Sequence, residues 1–248
     1  MKAMILAAGL GTRLQPLTND RPKALVEVAG RTLLEITLMR LKSCRIIDVI
    51  INIHHFADLV AEYLSSNNNF GMNTVISREE VLLDTGGGLK KAAYFLRSGS
   101  GPDQPFLLHN VDVLSNIDFG SMLSRHHDTD ALATLAIRDR PTSRHLLFDK
   151  SNRLCGRRAG VDGPIEQVRE GEQIRARAFS GIHIISPRIF DLMHEEGAFS
   201  IIPLYLRLAA AGEPVLGFPA DQYYWRDLGR PEQITQAASD IQSGMYNG

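Results

Sequence analysis

The chain has 248 residues, 44% of them hydrophobic and 22% charged, with a formal net charge of -1. That length suits one large α/β unit with a sizeable buried core, and the balanced charge excludes an electrostatic footprint for nucleic acid or an anionic membrane surface. No run approaches the ~20 apolar residues of a membrane span, and the opening one stops at Gly9, too short for a secretory signal, so the cytoplasm is the expected location.

Residues 3–8 predict a buried strand, followed by a glycine-rich turn. A helix is expected over residues 32–41, where Thr32 and Glu35 have capping-box spacing and Leu34, Leu38 and Leu41 share one face. Residues 49–53 form the next apolar run, with a helix over 56–64. A short strand at 74–77, a helix over 89–96 and a buried strand at 106–109, ending at Asn110-Val111-Asp112, complete the first half. Strand followed by helix, repeated, argues for a parallel sheet with crossover helices.

The second half is less regular. Residues 131–137, 146–148, 153–156 and 179–185 predict strands, and the charged, glycine-rich segment 158–175 predicts a loop or exposed hairpin. Helices are expected over 187–194, 201–211 and 231–242, with proline at an allowed first position in two of them. The expected fold class is α/β, a Rossmann-like mixed and mostly parallel sheet flanked by helices, with a smaller β-rich part. The two cysteines, Cys44 and Cys155, have no metal-ligand spacing and read as free thiols. The adjacent pairs His54-His55 and His126-His127 do not share a helix face, which speaks against zinc.

The strongest chemical signal is Leu6-Ala7-Ala8-Gly9-Leu10-Gly11-Thr12-Arg13-Leu14, followed by Pro16-Leu17-Thr18 and Arg21-Pro22-Lys23-Ala24-Leu25. Two glycines after a strand form a tight turn, or let backbone N–H groups approach phosphate oxygens. Leu14 stands where a dinucleotide fingerprint needs its third glycine, and no Walker Gly-Lys-Ser/Thr follows. Arg13 offers a guanidinium fork suited to polyphosphate. Lys23 offers a point charge on a proline-stiffened segment.

Together these motifs closely resemble the signature of the sugar-phosphate nucleotidyltransferase family, the nucleotide-sugar pyrophosphorylases. Two further segments match: His109-Asn110-Val111-Asp112 and Trp225-Arg226-Asp227-Leu228-Gly229-Arg230-Pro231-Glu232. The resemblance implies that Asp112 and Asp227 hold a catalytic Mg²⁺, in keeping with the oxygen ligands a hard cation prefers. It implies catalytic roles for Arg13, Lys23, Asp112 and Asp227. The nucleotide would lie against Leu6, Ala7, Ala8, Gly9, Gly11, Thr12 and Arg13, and against Asp84, Thr85, Gly86 and Gly87 of the base-binding loop.

The Thr-Gly-Gly-Gly form of that loop is most similar to uridylyltransferases of cell-wall amino-sugar phosphates, and also to mannose-1-phosphate guanylyltransferases, so UTP or GTP is the expected donor. For the acceptor, the resemblance implies Lys23, Asn110, Gly156, Ser180 and Gly181. A Glu-Lys-Pro segment that relatives often carry is absent, and Arg157 or Arg158 either replaces its lysine or is a solvated basic pair.

The implied reaction transfers NMP from an NTP to a sugar 1-phosphate, giving an NDP-sugar and pyrophosphate. A phosphocholine or other phosphomonoester cytidylyltransferase is the alternative, with a catalytically silent nucleotide-sugar sensor behind it. One domain over residues 1–248 is expected, its nucleotide part about 1–115 and its acceptor-binding, metal-completing part about 116–248.

Overall fold

A computed structural model describes residues 1–98, 104–160 and 163–246. Strand β1 (Ala3–Leu6) leads through 3-10 turns at Thr12–Leu14 and Lys23–Leu25 into the small hairpin β2 (Glu27–Val28) and β3 (Arg31–Thr32). Helix α1 (Leu33–Ser43) starts where its cap predicts, with Thr32 Oγ1 accepting from the Glu35 N–H at 3.0 Å. Glu35 turns its carboxylate to the Tyr63 hydroxyl, 3.0 Å away, rather than back to the cap.

Next come β4 (Asp48–Ile53), α2 (Ala57–Ser66), β5 (Asn73–Arg78), α3 (Asp84–Lys91), α4 (Ala93–Leu96), β6 (Phe106–Asn110) and β7 (Val113–Ser115). The helix expected over 89–96 therefore begins earlier, at Asp84, and takes in Gly86, Gly87 and Gly88 before breaking at Ala92. Glycine costs about 1 kcal/mol in a helix interior, but tertiary packing requires it here. A Cβ on Gly86 would strike the Phe199 ring, and one on Gly87 the Gly197 carbonyl.

Helix α5 (Phe119–Asp128) lies where the sequence suggested no element. Asp118 caps it, its Oδ1 accepting from the Gly120 and Ser121 N–H groups at 2.9 and 3.2 Å. The strands β8 (Ala133–Arg138), β9 (Arg144–Phe148), β10 (Leu154–Ala159), β11 (Ile165–Gln167) and β12 (Arg175–Ile185) follow. Segment 158–175 thus contains an exposed hairpin, β11 against β10; its residues 161–162 lie outside those described. Pro187–Leu192 winds as a 3-10 helix instead of an α-helix. Helix α6 (Ile201–Ala210), the unanticipated β13 (Val215–Pro219), β14 (Trp225–Asp227) and α7 (Pro231–Gln242) close the fold, with Pro187 and Pro231 in the first turns of their helices.

The main sheet runs β11-β10-β9-β12-β6-β1-β4-β5, with β8 branching from β12 and β13 pairing with β8. It is parallel through β6, β1, β4 and β5. Beyond β6 it turns antiparallel, because β12 pairs with β6, β8 and β9. Alternating side chains of β1 serve two cores: Ala3 and Ile5 face the one built with α1, α2, α5 and α7, and Met4 the one built with α3, α4 and α6. Helices thus cover both faces, as a Rossmann-like α/β sheet requires. Among the described residues no helix is long and apolar enough to cross a membrane. Cys155 is buried, Cys44 half-buried, and both are free thiols.

Buried histidines give this fold an acid limit. His109 on β6 and His183 on β12 are fully enclosed, and burial pushes their pKa values down to about 4 and about 3. Burial likewise takes His126, held between the Thr134 and Ser186 hydroxyls at 2.9 Å, down to about 4. An unfolded histidine titrates near 6.5, so below that pH the unfolded chain binds protons that the native one refuses. Stability is complete above about pH 6.5 and is lost as pH falls toward 4, each histidine contributing about 1.4 kcal/mol per pH unit in that window. Thermal melts from pH 7.5 to 4.5 should show a steep fall beginning near 6.5; a level profile would contradict the burial of these rings as neutral groups.

Candidate active site

The chain passes from β1 to β4 and β5 on one side and returns to β6 on the other, so a switch point opens beyond the carboxyl ends of β1 and β6. A cavity of about 320 Å³ lies there. Leu6, Ala7, Ala8 and Gly9 form one wall, Leu82, Asp84 and Thr85 another, and Asn52, Asn110, Val111, Asp112 and Lys23 complete it. Six of the residues expected to meet a nucleotide therefore line one space.

The turn after β1 is held by its own packing. Gly11 has φ +67°, and a Cβ there would sit 2.9 Å from Thr18 Cγ2 and 3.2 Å from Lys23 Cβ. Thr18 Oγ1 donates to the Gly11 carbonyl at 2.9 Å. The turn thus packs directly on Lys23, whose Nζ is ion-paired with the Asp112 carboxylate; the two side chains are only 12% and 18% exposed. Among the described residues no oxygen accepts from the N–H groups of Gly9, Leu10 and Gly11, which leaves a row of donors suited to an anion.

Asn52, which no motif flagged, joins the cavity's wall, and the buried Glu79 backs it. Asn52, at the end of β4, accepts from the Ala7 N–H at 2.8 Å and donates to Glu79 Oε1 at 2.7 Å. The other Glu79 oxygen accepts from the Leu83 N–H at 3.0 Å. Both side chains are buried, and Gly88 leaves them room, since a Cβ there would lie 2.7 Å from Glu79 Oε1. This pair ties the end of β1 to the start of α3, which carries Asp84 and Thr85. Asn52→Ala would strand the Glu79 carboxylate and the Ala7 N–H, a loss of about 1–3 kcal/mol each. We expect a lower melting temperature and a raised KM for the nucleotide with a smaller change in kcat; an unchanged KM would remove the pair from the cavity's architecture.

Gly86 and Gly87 have a different place from the expected one. Their N–H groups donate to the Phe199 carbonyl at 2.8 and 3.2 Å, and the absent side chains make room for Phe199 and Gly197. Both glycines are spent on protein packing and line neither this cavity nor the larger one. Gly11 and Thr12 also stay out of the lining, shaping the turn instead.

Asp227 reaches the same region from the far end of the chain. β14 runs antiparallel to β7 with Asp227 opposite Val113, and the Leu228 N–H donates to the Asp112 carbonyl at 2.7 Å. The two aspartates thus lie on adjacent backbone segments, Asp112 lining the smaller cavity and Asp227 a larger one. Asp227 Oδ1 accepts from the Gly229 N–H at 2.7 Å, and Arg13 lies over that glycine, its Nη2 2.9 Å from where a Cβ would be. Among the described residues no three His, Cys, Asp or Glu side chains gather as a metal site.

Asp227 and Arg13 face a second, larger cavity of about 1130 Å³ that runs out over β9, β10 and β11. Arg140 stands in its wall with its guanidinium 4.4 Å from the Trp225 ring centroid and Nη2 donating to the Phe179 carbonyl at 3.2 Å. Burial lowers the Arg140 pKa, and the nearby Asp227 charge opposes that shift. Trp225 is itself fixed, its Nε1 donating to the Ser180 carbonyl at 2.8 Å.

Three residues expected at the acceptor lie behind these walls. Ser180 is fully buried. Gly181, with φ +76°, lets β12 pass Asn110, whose Nδ2 would be 2.8 Å from a Cβ. Gly156 allows β11 to cross close to β10, where a Cβ would strike the Glu166 carbonyl. Lys23 and Asn110 do line the smaller cavity.

Comparison with known proteins fits this geometry. Residues 2–244 match the family model described as nucleotidyl transferase. The chain is 37% identical over 238 residues to the N-acetylmuramate alpha-1-phosphate uridylyltransferase of Caulobacter vibrioides, spanning 93% of this chain and 92% of that one. It is 27% identical over 237 residues to the mannose-1-phosphate guanyltransferase of Neurospora crassa, covering 94% of this chain but 62% of that protein. Among solved structures, HddC from Yersinia pseudotuberculosis complexed with GMP-PN superposes with a TM-score of 0.76 at 22% identity, over 97% of this chain and 99% of that one, and so shares the fold.

Proposed function

The chain belongs to the nucleotidyl transferase family, and from that premise we propose that it transfers UMP from UTP to a sugar 1-phosphate and releases pyrophosphate. The observation that supports this reading is the placement of Asp112 and Asp227 on adjacent backbone segments, Asp112 lining the small cavity at the strand ends and Asp227 the large one. Residues 1–115 would hold the nucleotide, and residues 116–248 the acceptor and the second aspartate. Sugar 1-phosphate is preferred to phosphocholine because the relatives named above act on sugar 1-phosphates. Uridylyl transfer is favoured because the uridylyltransferase relative is both the more similar and the more fully covered.

The donor set of two carboxylates on adjacent segments fits Mg²⁺, a hard cation that takes oxygen ligands and keeps several waters. When bound, it would neutralise charge on the phosphates. Asp112 and Asp227 would hold it.

The chain's own groups account for the rest. The acceptor phosphate has its second pKa near ~6, so at neutral pH it is largely dianionic and needs no general base. Its oxygen forms a bond to the α-phosphorus while the bond to the bridging oxygen breaks, and pyrophosphate departs with that electron pair. Arg13 and the free N–H groups of Gly9, Leu10 and Gly11 would stabilise the charge on the departing side. Lys23 would offset the repulsion between two phosphate anions and hold them in line. The proposed compartment is the cytoplasm, which the free thiols favour.

Pyrophosphate release with each of the four NTPs and a panel of sugar 1-phosphates tests this directly. Turnover should be highest with UTP. A preference for GTP would overturn the base assignment alone, and no release with any combination would overturn the transfer reading.

A further inference from the structure

Asp227 stands on a strand that has little of its own to hold it. β14 is three residues long and pairs with β7 alone, in a two-stranded sheet apart from the main one. Two paired strands are marginally stable in water unless something packs behind them. Side chains alternate along β14. Trp225, stacked on Arg140, and Asp227, in the wall of the larger cavity, take one side; Arg226 takes the other, toward α7.

There it meets Asp240, whose side chain is only 3% exposed. Arg226 Nε donates to Asp240 Oδ2 at 2.9 Å, Nη2 lies 2.6 Å from the same oxygen, and Nη1 donates to Gln233 Oε1 at 3.0 Å. The Tyr224 hydroxyl also donates to Asp240 Oδ2, at 2.6 Å, and Gln236 Nε2 donates to Oδ1 at 3.0 Å. Tyr224 is in turn tied to the end of β7: its N–H donates to Asn116 Oδ1 at 2.7 Å and its carbonyl accepts from the Ser115 hydroxyl at 2.9 Å. Neither Arg226 nor Asp240 lines the two cavities described above, so the pair does not act by touching a ligand there. Burying an ion pair costs desolvation that its attraction only offsets, and apolar packing would stabilise the strand about as well. What apolar packing would lack is direction.

We propose that Arg226 and Asp240 are positioning residues: clamped together behind β14, they fix the strand that presents Asp227 to a divalent cation. This rests on the reading of Asp227 as a ligand of that cation. The pair grips the residue next to Asp227 in sequence from the opposite side of the strand, and Tyr224 carries the same grip to β7, the strand after Asp112. A carboxylate on a loose three-residue strand would have to be ordered each time a cation binds, and that ordering would weaken binding. The clamp supplies the order beforehand.

The test uses the full chain and the double variant R226M/D240N. It removes both charges together, so neither is left buried and unpaired, and the new amide oxygen can still accept from the Tyr224 hydroxyl. Its melting temperature should stay within a few degrees of the parent. Three readouts are compared below that temperature: Mn²⁺ binding followed by the paramagnetic resonance of the free ion, hydrogen exchange of the β14 amides, and the Mg²⁺ dependence of pyrophosphate release. Mn²⁺ should bind about tenfold more weakly, the scale of loss when groups that orient metal ligands are removed. The β14 amides should exchange faster while the core amides keep their protection. Half-saturating Mg²⁺ should rise in step with the Mn²⁺ loss, and saturating Mg²⁺ should restore most of kcat. R226K, which keeps a cation for Asp240, should fall between the two; if the double variant does not fold, R226K decides by the same readouts. Parent-like Mn²⁺ affinity, or losses that track faster exchange throughout the chain, overturns the proposal. D227N separates it from the reading beneath it. Weakened Mn²⁺ binding in D227N beside parent-like binding in R226M/D240N keeps Asp227 as a ligand and sinks the clamp alone; unchanged binding in D227N sinks both.

Discussion

Lys23→Ala is expected to lower turnover by about two to three orders of magnitude, the usual loss when one preorganised donor to a charged transition state is removed. Lys23 is placed on three sides: Gly11 packs on its Cβ, Pro22 precedes it in extended conformation, and its ammonium is paired with Asp112. The same burial makes the loss partly structural. Alanine leaves the mostly buried Asp112 carboxylate without its cation, a cost of about 1–3 kcal/mol, or a fall of several degrees in melting temperature for a chain of this size. Adding Asp112→Asn should return much of that stability and none of the rate, which separates folding from chemistry. Lys23→Arg should rescue poorly, because a planar fork does not replace a compact point charge in this space. A Lys23→Ala enzyme with near-normal turnover would remove Lys23 from the proposed transfer.

Asp227→Asn should cost about two orders of magnitude or more in turnover and raise the Mg²⁺ concentration needed for half-maximal rate. Asparagine is the informative change because its Oδ1 can still accept from the Gly229 N–H, the contact Asp227 makes at 2.7 Å. The turn under Arg13 and the entry into α7 are then kept, and only the charge is removed. Asp227→Ala loses both, and so should also lower the melting temperature. Rates across a Mg²⁺ titration decide the matter: an Asn variant with the original magnesium dependence would show that Asp227 is not a metal ligand.

Much of the architecture was legible because its signals are local. The β1 run, the Thr32 cap and the first-turn prolines each depend on a few neighbouring residues, and each element formed where those residues put it. The start of α3 was not legible, because three consecutive glycines argue against a helix until Phe199, Gly197 and Glu79 are known to crowd them. Helix α5 was missed although Asp118 is a good cap, since its first turn offers Gly120 and Ser121, both weak helix formers.

The candidate site divides in the same way. Lys23, Asp112 and Asp227 stand in recognisable motifs; the fold pairs Lys23 with Asp112 and sets Asp227 on the adjacent segment. Asn52 and Glu79 have no motif, because their role lies in a hydrogen-bonded bridge between segments 27 residues apart. The glycines at 86, 87, 156 and 181 mark close approaches of chain to chain, which in sequence are indistinguishable from close approaches to a ligand.

Trp225 is the only tryptophan in the chain, and it stands with one face against Arg140 and its indole N–H anchored to the Ser180 carbonyl. The protein therefore carries a built-in optical probe at a single known position. Under excitation selective for tryptophan, a change in emission on adding a compound reports on the surroundings of Trp225 beside Arg140, so an unlabelled sample suffices to follow events there in real time.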